Sequence, residues 1–349
     1  MIMVPIFLRL KPTAGSIPDK LAKIDWIGSI LFVAAATSFL MPLTWGGIQF
    51  AWTSWRTLLP LFLGVAGMIA FAIYEMLVPK QPIMRTDLFR DYNLTFSLFG
   101  AVIHSAVVYA ALYFLPLYFE AVKDFNPILA GVALFPASFT VAPFSIVAGV
   151  TITKTGNFRP VVWAGWVITT IGLGVMILLD VNTSVAQWFF ITFTTGIGLG
   201  FLYTSLAIMN QAAAPSDKLN SLVISLFIFA RCLGQCLGVA MGGSIFQNQM
   251  RHNLANTVTL ADKADEYSRD ASGIVATLRH MPASQSKTEL IQAYADSLKI
   301  VWVVFCALCG ICTLASVFIK HVSLDREHGT TQGLHNDSEG NEEKSEDKL

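Results

Sequence analysis

The chain has 349 residues, of which 54% are hydrophobic and only 13% charged, about half the charge content of an ordinary soluble domain. That excludes a water-soluble globule and points to a polytopic membrane protein. Twenty-three basic and 23 acidic residues cancel, so no net field draws in nucleic acid or an acidic surface, and a nucleic-acid role is excluded with it.

The opening "MIMVPIFL" is apolar but lacks a basic lead and a small-residue cleavage site, so it does not read as a removable signal. Eight segments then supply the roughly 20 apolar residues a helix needs to cross hydrocarbon with its backbone paired. They cover 26–45, 58–78, 94–119, 128–152, 161–179, 188–209, 222–246 and 301–319. The expected fold class is an all-α membrane protein. Arg9, Lys11, Lys20 and Lys23 precede span one, and Lys80, Arg85 and Arg90 follow span two. Lys154 and Arg159 follow span four, and Lys320 and Arg326 follow span eight, whereas the alternate short loops hold only Arg56 and Lys123. This bias places both termini in the cytoplasm. Asn93 of the sequon "NLT" then falls on the cytoplasmic side and should stay unmodified, and Asn182 of "NTS" lies too close to the membrane to be a good acceptor.

In span three, Ser105, Tyr109 and Tyr113 form a polar stripe that leads to Glu120, and His104 points about 100° away from it. His104 reads either as a neutral histidine bonded to a neighbouring helix or as part of a proton relay. After span four, "GVTITKTGNFRP" places Gly149, Lys154, Gly156 and Arg159 in a short turn that suits tight helix reversal with cations at the inner face.

Span six contains "TGIGLGF". It follows no strand and sits within apolar sequence, so close helix packing explains its glycines better than a dinucleotide loop does. Thr192, Thr195, Tyr203 and Asn210 lie within about 80° of one another on that span. Such a stripe either lines a pathway or bonds neighbouring helices.

Span seven carries Arg231 roughly 15 Å from its start, near the bilayer centre. Gln235, Gly238 and Gly242 share its face, with Gly234 and Gly243 beside them. Helix carbonyls or a carboxylate could satisfy this guanidinium; the alternatives are contact with substrate or the tuning of a proton-carrying acid. The long loop over 247–298 contains "SKTEL", a capping-box pattern from Ser286 to Glu289. Leu290, Ile291, Tyr294 and Leu298 follow it at helical spacing, which predicts an amphipathic helix along the outer interface, capping the vestibule. All five cysteines lie in apolar runs, as Cys232 and Cys236 and then Cys306, Cys309 and Cys312, and read as packing residues rather than metal ligands. The last 27 or so residues are polar and acidic and are expected to be disordered. The histidines form no array that would hold a di-iron centre, and no Ser/His/Asp arrangement appears, so neither a metal, a cofactor nor enzymatic chemistry is indicated.

Several stretches together resemble one family. They are "KIDWIGSILF", "LTWGG" and "WTSWRTLLPL" in the first two spans and "LPLYFEAVKDFNPILAGVALFP" across spans three and four. "GIGLGF" in span six, "RCLGQCLGVAMGGSIFQNQMR" in span seven and "QAYADSLKIVWVVFCAL" entering span eight complete the set. The chain is similar, up to its acidic tail, to the major facilitator superfamily, and specifically to fungal drug:proton antiporters of the fourteen-span type. The resemblance implies two six-helix halves joined by two connecting helices, with one half rocking against the other. On that pattern 1–24 is a cytoplasmic lead ending a preceding span, 25–92 the connecting pair, 93–322 the second six-helix half and 323–349 the tail. The amino-terminal half would be absent from this sequence. There are departures from the pattern: Thr153 stands where aspartate is typical, Asp124 where glycine is common, and span seven lacks the proline of the glycine-rich antiporter motif.

The resemblance implies export of small amphipathic organic compounds (a drug, toxin or siderophore-like molecule) in exchange for protons. Partners would be that substrate, protons, membrane lipid and the amino-terminal transporter half. Because alternating access takes two halves, the chain is not expected to transport alone. The alternative is a non-transporting membrane fragment or interaction protein. The plasma membrane is the expected location, with the vacuolar membrane as the alternative.

Overall fold

A computed structural model describes residues 25–47, 49–78 and 86–322; Lys80, Arg85, the lead over 1–24 and the tail from 323 lie outside the described residues. The helices run in the order α1 Trp26–Trp45, α2 Trp55–Leu77, α3 Tyr92–Ala121, α4 Pro127–Ala133, α5 Phe135–Thr155, α6 Arg159–Met176 and α7 Val185–Ala212. They continue as α8 Asp217–Ala255, α9 Ala264–Arg269, α10 Ala271–His280 and α11 Gln285–Ser316. Eight spans, counting α4 and α5 as one, are long and apolar enough to cross a membrane, and no strand is assigned among the described residues beyond the isolated Gly46–Phe50 bridge. The protein is a multi-pass all-α membrane protein, as its composition and spans indicate.

Short polar side chains start most of these helices by accepting the first unpaired amide protons. Asp25 accepts from the Gly28 amide, Asp91 from Leu94 and Asn126 from Leu129, each at 2.8–2.9 Å. Ser184 and Gln187 form a reciprocal capping box at the start of α7.

Three features depart from the sequence expectations. The fourth span is broken between Ala133 and Phe135. Pro136, in the first turn of α5, has no N–H to continue the ladder from α4. Next, α8 has 39 residues, about 58 Å at 1.5 Å each and nearly twice the hydrocarbon thickness. Residues 247–255, expected in a loop, are therefore its final turns. Last, the amphipathic segment does not lie along an interface, because it is the first half of α11, capped by Ser284 rather than Ser286. Its apolar face has a protein partner instead of lipid. Leu290, Tyr294 and Leu298 are buried, the Tyr294 hydroxyl donates to the Ala271 carbonyl, and the Phe246 ring packs against Tyr294 at 5.8 Å. No glycine or proline separates Leu298 from Val301, so the helix continues into the membrane. Glu289, freed from the cap, accepts from the amide and hydroxyl of Thr259 at 3.1 and 2.7 Å.

The core gathers around α3, whose most apolar stretch is 67% buried, against 22% for α1 and 17% for α2. α3 packs on α7, α8 and α11, and α7 also contacts α5 and α6. The α1–α2 pair joins the rest through α8. Phe32 meets Phe229 edge-on at 4.6 Å, and Asn248 donates to the Gly46 carbonyl at 3.1 Å.

Asp124, where the family resemblance led us to expect glycine, has φ 56° and is the one non-glycine with positive φ among the described residues. That conformation costs an L-residue about 1–2 kcal/mol, less for aspartate than for most, whereas a glycine would lose about 0.5–1 kcal/mol of chain entropy on folding. Asp124→Gly should therefore stabilise the protein slightly, raising the thermal midpoint in detergent by roughly 1–2 °C. A fall in midpoint would contradict this account.

Candidate functional site

The charge within the membrane is held by an aromatic ring. Arg231 lies 14 residues into α8, about 21 Å along its axis, and its guanidinium carbon sits 4.0 Å from the centre of the Tyr203 ring on α7. Phe227, one turn back on α8, is 6.0 Å away. No carboxylate lies within salt-bridge distance of Arg231 among the described residues. A cation at bilayer centre costs about 2.5–3.5 kcal/mol on insertion scales, whereas a cation–π contact returns roughly 0.5–2 kcal/mol. The ring therefore offsets part of the cost and leaves the guanidinium N–H donors without acceptors among the described residues, because a π face takes no fork of hydrogen bonds. Tyr203 itself is 45% exposed.

His104 of α3 meets the same tyrosine from another direction, its ring 6.2 Å from that of Tyr203. It is buried, and its Nε2 lies 3.0 Å from the Leu199 carbonyl oxygen. That contact puts the proton on Nε2. Gln235 lies one turn beyond Arg231 and is half-buried.

The two predicted stripes divide. Tyr109 and Tyr113 are 39% and 48% exposed, but Ser105 is buried, and its hydroxyl has no hydrogen-bond partner among the described residues. On α7, Thr192 and Thr195 are buried and donate to the carbonyls of Trp188 and Ile191 at 2.8 and 3.2 Å. Asn210 donates to Ser97 of α3 at 2.9 Å. These three occupy the seams between helices, while Tyr203 alone of that stripe reaches the surface. The division follows from α7 being the middle helix, where about 80° of arc is enough to cross from seam to open face.

Glycines set how closely the seams approach. A β-carbon at Gly234 or Gly238 would strike the backbone of Val102 or Ala106 on α3, and one at Gly242 the ring of Phe114. Gly243 has open space and takes no part in this seam. On α7, Gly196 and Gly200 face the α5 carbonyls of Ala137 and Val141, and Gly198 faces Thr169 of α6. In the turn motif, Gly156 takes φ 64° to end α5, and Lys154 is exposed. Arg159 stacks on Trp163 at 4.9 Å, and Gly149 is 3.5 Å from Thr204 when given a β-carbon.

One feature escaped the sequence reading. At the capped end, a cavity of about 650 Å3 opens between the α4–α5 break and α7, lined by Phe125, Phe135, Phe139, Trp188, Phe189 and Phe193 among others. The pairs Phe135/Phe139 and Phe189/Phe193, each four apart on one helix face, were its signal. At the same end, outside the spans, Lys123 donates to the carbonyls of Val181 and Thr183, both at 2.6 Å. Asp180 faces Lys299 at 3.4 Å, and Arg279 of α10 faces Glu120 at 3.4 Å.

The sequence model of the family described as fungal trichothecene efflux pump (TRI12) matches residues 2–320. The MFS transporter L2 of Phoma sp. is 42% identical over 95% of this chain and 56% of its own length. The efflux pump FUS6 of Gibberella moniliformis is 31% identical over 96% of this chain and 60% of its own. The chain thus spans less than two thirds of the length of these relatives. Among solved structures, a bacterial homologue of the human lysosomal transporter Spinster, inward-facing and unoccupied, aligns with TM-score 0.46 at 16% identity, over 75% of this chain and 59% of that one.

Asp180 supplies a pH test of the capped end. Burial pushes its carboxyl up, but the Val181 amide and the Lys299 ammonium outweigh that and hold it below the usual carboxylate range. A group depressed in the folded state stabilises the fold above its unfolded pKa, about 3.9, and that contribution is lost as pH falls through the folded value. Asp180 is 40% exposed, so screening keeps the effect to about 1 kcal/mol or less. Asp180→Asn should lower the thermal midpoint by roughly 1–3 °C at pH 7 and by progressively less as pH falls below the usual carboxylate range; a loss that does not shrink with falling pH would show that the ion pair is not responsible.

Proposed function

The chain belongs to the fungal trichothecene efflux pump family of major facilitator transporters, and from that premise we propose that it supplies the carboxyl-terminal half of a proton-coupled exporter of small amphipathic organic compounds. The observation that carries this reading is Arg231, a membrane-embedded guanidinium that lies 4.0 Å from the Tyr203 ring and has no carboxylate partner among the described residues. A charge kept at such cost faces protein or water and marks a pathway. In this reading the half-exposed Tyr109, Tyr113 and Tyr203 line the route, and Arg231 with Gln235 and His104 answers to the proton-carrying acid. Thr192, Thr195, Asn210 and Ser105 support the route from the seams behind it.

The glycine-lined seams hold α3, α5, α6, α7 and α8 as one body, which suits a half that rocks rigidly against an amino-terminal half. The turn at Gly149 to Arg159 lies on the cytoplasmic side with both termini, and the α9–α10 cap faces outward. The protein resides in the plasma membrane, with the vacuolar membrane as the second candidate. A chain without its partner half would not transport, and a purely interacting role is the competing reading.

The test is uptake into vesicles by this chain preceded by the amino-terminal part of the 42%-identical relative, with and without an inward-acid gradient. Export should require the gradient, and Arg231→Ala should reduce it by at least about tenfold, equivalent to about 1.4 kcal/mol in the barrier, while surface expression stays unchanged. Export indifferent to the gradient would reject antiport, and full export by Arg231→Ala would remove that residue from the route.

A further inference from the structure

We propose that the Arg231–Tyr203 pair is an acceptor site for an anionic oxygen of the transported compound, so that the preferred substrates are amphipathic organic acids, carboxylic or enolic, with a flat apolar body. This rests on the exporter reading above and adds the chemical class to it.

The geometry defines what fits. A guanidinium carries five N–H donors in a planar fork, and the Tyr203 face at 4.0 Å takes its charge without accepting any of them. Phe227 at 6.0 Å closes another side with a second ring. His104 presents its ring to Tyr203 and spends Nε2 on the Leu199 carbonyl. No acidic side chain among the described residues neutralises the charge. What the site lacks is a bidentate anionic acceptor, for which a carboxylate or enolate matches a guanidinium fork best. The depth of Arg231, about 21 Å along α8 from its start, keeps it from the lipid phosphates of the near leaflet. The two rings offer an apolar body a place to stack beside the charge, and Gln235, one turn on, offers an amide to a neutral oxygen. A neutral amphipath of the same shape would fill the apolar part and leave the donors unpaired, which is the penalty that separates acid from neutral analogue.

The same chemistry has a second source, a carboxylate on the polypeptide that precedes this half in longer relatives, and the test separates the two. Binding of pyrene-1-butyrate and of its neutral amide is measured by fluorescence anisotropy at pH 7.5, where the acid is ionised, to the 349-residue chain in lipid nanodiscs, with empty nanodiscs subtracted. The acid should bind at least about tenfold tighter than the amide. Arg231→Gln should bring the ratio to about one by weakening the acid alone, Arg231→Lys should keep part of the preference, and Tyr203→Leu should weaken both probes. Equal binding of acid and amide overturns the proposal, as does a preference that survives Arg231→Gln, or the absence of binding above empty nanodiscs. Repeating the measurement with the chimera carrying the relative's amino-terminal part identifies the source: a retained preference supports a substrate anion, and its loss overturns it in favour of a polypeptide carboxylate. Acid preference without proton-driven export would sink the exporter reading alone, whereas export with no acid preference would sink only this site.

Discussion

Hydrocarbon offers no hydrogen bonds and little hydrophobic drive between helices, so the architecture depends on how closely α3, α7 and α8 can approach one another. Side-chain volume decides that distance, and at the contact points there is none. Gly234 and Gly238 on α8 lie against the backbone of Val102 and Ala106 on α3, and Gly196, Gly198 and Gly200 place α7 against α5 on one side and α6 on the other. Dispersion between backbones at these contacts replaces the solvent-driven term of a water-soluble core.

Close packing then sorts the polar side chains. A hydroxyl caught in a seam must find an acceptor within its own helix, which Thr169, Thr192 and Thr195 do by donating to carbonyls four residues back. Asn210 has room for a longer reach and bonds Ser97 across to α3. Larger polar groups have less room there, and His104, which bonds the Leu199 carbonyl across the α3–α7 contact, is an exception. Tyr109, Tyr113 and Tyr203 are therefore left part-exposed, and the tyrosines proposed above to line the route are those the glycine seams exclude.

How much of this was legible in the sequence depended on the range of the interaction. The eight spans and the all-α class follow from local composition, because the bilayer imposes the same length on every crossing, and α1 was drawn to its observed bounds. The role of "GIGLGF" in packing also follows locally, since three small residues in five leave few other uses. Helix ends outside the membrane were not legible. Ser284 and Ser286 are both good caps, and the choice between them was made by burial of Leu290 and Tyr294 against α8 and α10, a contact between segments far apart in the chain. The break at Leu134 had a visible signal in Pro136 that the apolar run masked. The split of the α7 stripe was illegible for a deeper reason: periodicity reports which residues share a face, and not which faces have neighbours.

Helix α8 brings these threads to one element. Its glycines make the seam with α3, Phe229 holds the α1–α2 pair through Phe32, and Asn248 and Arg251 at its far end reach the carbonyls of Gly46 and Gly47. Arg231 sits midway between the start of the helix and those far-end anchors. Any tilt of α8 is therefore shared at once by the connecting pair, by α3 and by the guanidinium, because the glycine contacts leave no slack between backbones. The aromatic shelf moves with it only in part, since Tyr203 belongs to α7 and α7 is fixed by its own glycines to α5 and α6. The Arg231–Tyr203 contact is thus a place where two differently anchored helices meet through a charge rather than through a packed seam, and a charge tolerates a change of distance that a seam of backbones does not.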